Sequence, residues 1–257
     1  MNDQNMEPVT DTAALPPEAS PKRRRYLPRK VCLASILVAA PILLWLELAK
    51  PTLTPDPVLA PLVNMTLTRM IGAVVFLALL LTEGYRVLNP VRKPFWRSIL
   101  WALPPIFVVV NNLPTLSLLW GDAYLVYKAP RYIVWFTLEC LAIGLFEELA
   151  FRGTVLLMFA EKRHRTTWDL VRAIILSSAV FAVVHMANLL VGADPGAVFL
   201  QIGYSFLIGA MCAVVLFKTA NIWLCVLLHA VYDFGGNIAE VAETAGRWDG
   251  FTMIFTA

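Results

Sequence analysis

The sequence predicts an all-α integral membrane protein with about seven transmembrane helices, roughly six to eight, enclosing a buried polar cavity. Hydrophobic residues fill 59% of the 257 positions and charged residues only 15%, with a mean hydropathy of +0.68. That balance cannot keep the surface of a soluble domain wetted. The apolar residues are gathered into runs long enough to cross a bilayer, and Lys and Arg crowd into alternate connections between them. A few acids and histidines nevertheless stand at mid-span, where a lone charge costs about 2.5–3.5 kcal/mol.

Residues 1–21 carry acids, polar residues and prolines without apolar periodicity, so residues 1–30 are expected to form a disordered cytoplasmic tail ending in a basic cluster. That cluster, Lys22, Arg23, Arg24, Arg25, Arg29 and Lys30, directly precedes an apolar run over 31–49. The run is long enough to span and has no small-residue cleavage pattern at Leu46, Glu47 and Leu48, so an uncleaved first span is expected. Further spans are expected near 66–82, 98–120, 132–160, 173–191, 198–217 and 222–239. N-terminal spans thus occupy 31–131, a second group of helices 132–239, and a short tail 240–257.

With the N-terminus inside, the cytoplasmic segments hold fifteen Lys and Arg against four outside, Lys50, Lys128, Arg131 and Arg247. This asymmetry sets the orientation by the positive-inside rule and puts the C-terminal tail outside. Arg69 is expected to snorkel to the outer interface from the second span. The sequon Asn64-Met65-Thr66 abuts that span and is expected to lie too close to the membrane for glycosylation. Cys32, Cys140, Cys212 and Cys225 form no metal-ligand pattern and read as small buried hydrophobes. Ser205, Gly209 and Ala213, four apart, suit close packing of the sixth span. Nothing in the composition implies nucleic acid, and the sequence does not specify an oligomeric state.

The candidate site is centred on Leu145–Arg152, LFEELAFR. The fourth span would be about 43 Å long at 1.5 Å per residue, longer than the roughly 30 Å hydrocarbon core, and its middle falls at Glu147. On an α-helix Glu148 and Arg152 are i,i+4 neighbours in the favourable order, acid first, while Glu147 points about 100° away. One carboxylate can therefore be neutralised and the other left to work. Of the three histidines, His164 lies in a basic loop, while His185 and His229 stand near the middles of the fifth and seventh spans. His229 and Asp233 are i,i+4 on one face, and Phe181 precedes His185 by one turn. Each group also has a structural reading: Glu148 with Arg152 as an ion pair, His185 as a helix-bridging partner, His229 with Asp233 as a polar clamp. Their coincidence at one depth favours a site.

These residues resemble the CPBP family of intramembrane proteases, which includes the type II CAAX prenyl endopeptidases and the bacteriocin-linked Abi proteins. EELAFR fits EExxxR, Phe181-Ala-Val-Val-His185 fits FxxxH, and His229-Ala-Val-Tyr-Asp233 fits HxxxN/D, in order on successive helices. The resemblance implies that Glu147 and His185 activate a water, that His229 and Asp233 form an oxyanion hole, and that Glu148 with Arg152 holds Glu147 in place. Asp233 stands where prenyl endopeptidases of the family carry asparagine, although aspartate is also found in the family. An ionised aspartate would repel an oxyanion, so here it is protonated or acts by orienting His229.

The expected activity is hydrolysis of peptide bonds in membrane-associated substrates, prenylated CAAX proteins among them, in a bacterial plasma membrane. The expected partners are a membrane-associated protein or peptide and the lipid bilayer. No cofactor is expected. The alternative cofactor is zinc, ligated by Glu147, His185 and His229 in a metalloprotease. The alternative functions are a non-catalytic scaffold or immunity protein, and a proton-coupled transporter.

Overall fold

The computed structural model describes residues 29–49, 53–82, 88, 95–113, 130–160 and 166–238. Residues 1–28 and 240–257 of the expected tails and the loop holding His164 fall outside them, while Arg29 and Lys30, assigned to the disordered tail from the sequence, open the first helix. Among the described residues there is no strand, and seven helical rods follow one another. These are α1 (Arg29–Ala49), α2 (Leu59–Thr82), α3 (Phe95–Asn111), α4, α5, α6 (Pro195–Thr219) and α7 (Ile222–Asn237). Rod α4 begins as α-helix over Pro130–Glu147, opens into a π-helix over Glu148–Val155 and closes with one α turn over Leu156–Phe159. Rod α5 is α-helical over Thr167–Val184 and tightens to a 3₁₀-helix over His185–Val191.

Leu59–Leu81, Thr167–Val191 and Pro195–Thr219 are long and apolar enough to cross a membrane by length and composition, and Leu33–Leu46 and Ser98–Asn111 are shorter apolar helices. The faces turned outward are as apolar as the core: Leu37, Trp45, Val74, Trp96 and Phe199 are all exposed. Helices that are hydrophobic all round belong in lipid. The protein is an all-α integral membrane protein.

Several helix ends differ from the hydropathy reading because polar caps extend them. Thr166 and Asp169 form a reciprocal capping box, so α5 starts at Thr167 rather than near 173. Asp56 Oδ1 accepts from the amides of Val58 and Leu59, which lets α2 begin at Leu59. Asn64 therefore lies inside α2, and the Thr66 hydroxyl is spent on the Leu62 carbonyl. Asp194 caps α6 ahead of Pro195, and Asn221 caps α7. Between α6 and α7 there are only Ala220, left-handed at φ 56°, and Asn221.

Rod α4 lies between α2 and α7, α5 packs along α6, and α3 touches both α6 and α7. A shared core of Leu80, Leu149, Leu156, Cys212, Val215, Ile222 and Cys225 joins α2, α4, α6 and α7. Gly144 sets the approach of α4 to α7: a Cβ there would stand 2.9 Å from the Val226 carbonyl oxygen. One turn beyond Gly144 come the two glutamates.

Cations lie over indoles at one end of the bundle. Lys218 Nζ is 4.2 Å from the Trp101 ring and the Arg172 guanidinium 5.3 Å from Trp168. Trp223 donates to the Leu88 carbonyl at 3.0 Å. Such aromatic and cationic groups mark a membrane interface. At the opposite end Asp56 Oδ2 accepts from Arg131 at 2.8 Å and from Tyr132 at 2.9 Å, tying the start of α2 to the start of α4. Burial itself raises the Asp56 pKa, but the hydrogen bonds from Tyr132 and the two backbone amides, with the Arg131 charge, outweigh it and leave it lowered.

Candidate active site

Arg152 and Glu148 are fully buried on α4, 2% and 0% exposed. Arg152 Nη1 lies 3.0 Å from Glu148 Oε1. The same oxygen meets His229 Nδ1 of α7 at 2.8 Å. A carboxylate only accepts, so Nδ1 carries the proton and Nε2 faces the other way. There Nε2 stands 3.5 Å from Glu147 Oε2 and 3.6 Å from Asp233 Oδ2. The pattern is a guanidinium, a carboxylate and an imidazole in line, ending between two further carboxyl groups.

The π-helix explains how adjacent glutamates reach opposite nitrogens of one ring. Glu147 is the last α residue and Glu148 the first π residue. The Leu156 amide donates to the Phe151 carbonyl five residues back, and the Thr154 hydroxyl to Leu149, also five back. A π-helix widens the turn by about one residue and is frequent at functional sites. The sequence reading set Glu147 about 100° from Glu148 and away from it. In the structure both carboxylates converge on His229, from its two sides.

His185 ends the α-helical part of α5. Its Nδ1–H donates to the Phe181 carbonyl at 2.8 Å, so Nε2 is the nitrogen able to accept a proton. No hydrogen bond joins His185 to Glu147 among the described residues. The link between the histidines is the Phe181 ring, which meets His185 at 4.9 Å and His229 at 5.9 Å, edge-on to both. The Arg152 guanidinium carbon lies 4.4 Å from the centroid of the same ring. Five of the six candidates, Glu147, Glu148, Arg152, His229 and Asp233, thus form one contact cluster, and His185 joins it through Phe181.

Other neighbours were not singled out from sequence. Asn112, just past α3, donates to the Tyr232 carbonyl at 2.6 Å and nestles against Gly235 and Gly236, beside Asp233 in the chain. The Gly235-Gly236 pair inside an apolar run was the available signal. Arg69, expected at the interface, is half-buried with its guanidinium 5.6 Å from the Phe146 ring, next to Glu147.

Residues 129–235 match the family model described as type II CAAX prenyl endopeptidase, Rce1-like. Over this segment, a little under half of the chain, the protein is similar to that family. The Rce1-like segment contains all six candidate residues, and its description is that of an endopeptidase, a hydrolase. No curated protein and no solved structure matches the chain.

Among the described residues, no three His, Cys, Asp or Glu side chains are arranged to hold a metal ion. Of the ligands of the zinc alternative, Glu147 Oε2 and His229 Nε2 stand 3.5 Å apart, while His229 gives Nδ1 to Glu148 and no hydrogen bond joins His185 to either of them among the described residues. The metalloprotease expectation has no support in this geometry.

Proposed function

We propose that the protein is an intramembrane endopeptidase that cuts membrane-associated substrates, prenylated CAAX-type proteins being the class its family suggests, with a water activated by Glu147. The observation that carries this reading is the placement of His229: fixed at Nδ1 by the Glu148–Arg152 pair and open at Nε2 between Glu147 and Asp233. Peptide hydrolysis needs a base for water and donors where negative charge develops. Glu147 takes a proton from water, helped by His185 Nε2, and the hydroxide adds to the scissile carbonyl. In its imidazolium form, protonated at both ring nitrogens among the surrounding carboxyl groups, His229 turns an Nε2–H toward the resulting oxyanion, Asp233 adds a donor in its protonated form, and the proton held by Glu147 passes to the departing amine. The basic N-terminal cluster and the bias of Lys and Arg support a cytoplasmic N-terminus.

The test is cleavage by the reconstituted full chain of a panel of prenylated CAAX peptides and unlipidated membrane peptides. Wild type is expected to cut at least one of them, with or without a zinc chelator, and Glu147→Gln to lose about 10²–10⁴-fold in rate. Equal activity in wild type and Glu147→Gln would overturn the proposal.

A further inference from the structure

We infer that Gly209 of α6, acting with Phe181, is a positioning residue that sets where Arg152 sits and so how His229 is held. The rate readout for this rests on the endopeptidase reading; the geometry does not.

Helix α6 supplies no acid or base to the cluster, yet its backbone is the wall behind Arg152. A Cβ at Gly209 would stand 3.1 Å from Phe181 Cδ1, 3.3 Å from Arg152 Nη2 and 3.3 Å from Ser178 Cβ. Phe181, Arg152 and Ser178 are all buried and cannot swing into open space. The guanidinium lies over the Phe181 ring with Gly209 at its edge, and this seat matters because Arg152 is buried and shut off from bulk solvent. Any displacement passes along short contacts, from Arg152 to Glu148 at 3.0 Å and from Glu148 to His229 at 2.8 Å. The Phe181 ring, which borders both histidines, moves with it. Among the described residues, nothing lies within 4 Å of the Cβ position of Gly203 on the same helix. Two glycines on one helix therefore make opposite forecasts.

The experiment compares wild type, Gly209→Ala, Gly203→Ala and Phe181→Leu in the reconstituted full chain, reading ¹⁵N resonances of the histidine rings and, with a peptide that wild type cuts, kcat and KM. Gly209→Ala is expected to move the His229 ring signals and to lower kcat about tenfold, since small misplacements are costly in a preorganised site. Its KM should stay within about twofold, as for a residue that does not touch substrate. Gly203→Ala should change neither readout. Phe181→Leu keeps an apolar side chain but removes the ring face, and should move the signals of both histidines. If Gly209→Ala behaves like Gly203→Ala, or raises KM at unchanged kcat, the inference is wrong. Where Gly209→Ala does not fold, Phe181→Leu decides, and unmoved His229 signals overturn the inference. If wild type cuts no peptide, the endopeptidase reading fails, while the ring resonances still judge the role of Gly209.

Discussion

Glu148 spends one oxygen on two partners: Oε1 receives both Arg152 and His229. A buried carboxylate so shared is a structural member first, which leaves Glu147 and Asp233 as the acids at the open nitrogen of His229. Among the described residues Asp233 Oδ2 has no hydrogen-bond partner, so it keeps capacity for a reacting group. If Asp233 serves as a neutral donor, an amide can replace it. Asp233→Asn is expected to stay within about tenfold of wild type in kcat, whereas Asp233→Ala should lose about 10²–10³-fold, the cost of one missing oxyanion donor. An asparagine variant as slow as the alanine variant would show that the carboxyl group itself is required.

At the scale of the helix, the strain is at Ala220. A left-handed Ala costs about 1–2 kcal/mol that glycine does not pay, and here it closes the two-residue link between α6 and α7. Ala220→Gly should therefore raise stability by about 1 kcal/mol, less the entropy glycine adds to the unfolded chain. A denaturation midpoint that falls would contradict this. Apolar runs were readable because lipid exposure and core burial both select hydrophobic residues, so the helices stand out by length alone. Their starts were misplaced where the signal is polar, at Thr166 and at Asp56, because hydropathy is blind to a side chain that caps an amide. The acids and histidines were visible as candidates by their rarity in apolar sequence. Which of them touch was not, because α and π turns share one sequence pattern here, and only the π-helix brings Glu147 and Glu148 to one imidazole. Nor can spacing along the chain reveal Gly209 against Arg152, a contact between α4 and α6.

Over the whole molecule, the candidate site is made by three rods, α4, α5 and α7, braced by α2, α3 and α6. Away from the site, the Asp56–Arg131–Tyr132 cluster ties α2 to α4 at one membrane face. The Asp56 pKa is lowered on folding, so its contribution to stability is complete above the ordinary value of 3.8 and is lost as pH falls through the folded value. Asp56→Asn retains a side-chain acceptor for the amides of Val58 and Leu59 but not the charge. Its thermal midpoint should lie slightly below that of wild type near neutral pH, and the gap should close in acid below 3.8. A gap that is constant across pH would assign the effect to something other than the carboxylate charge. Being at the surface, the pair is screened, and the gap should also narrow with added salt.

The pairing of Glu148 with Arg152 also bears on how the protein is made. His229 is separated from Glu148 by 81 positions. At about 5–20 residues per second, the ribosome needs roughly 4–16 s to bridge them. Throughout that interval α4 has to sit in or beside the bilayer without its imidazole partner. Because the guanidinium lies on the next turn of the same helix, 3.0 Å from the carboxylate, that charge is already cancelled when the segment leaves the translation machinery. The nascent helix is left with Glu147 to shelter at this depth. Arg152 thus acts as an internal escort for Glu148 before α7 exists to receive it.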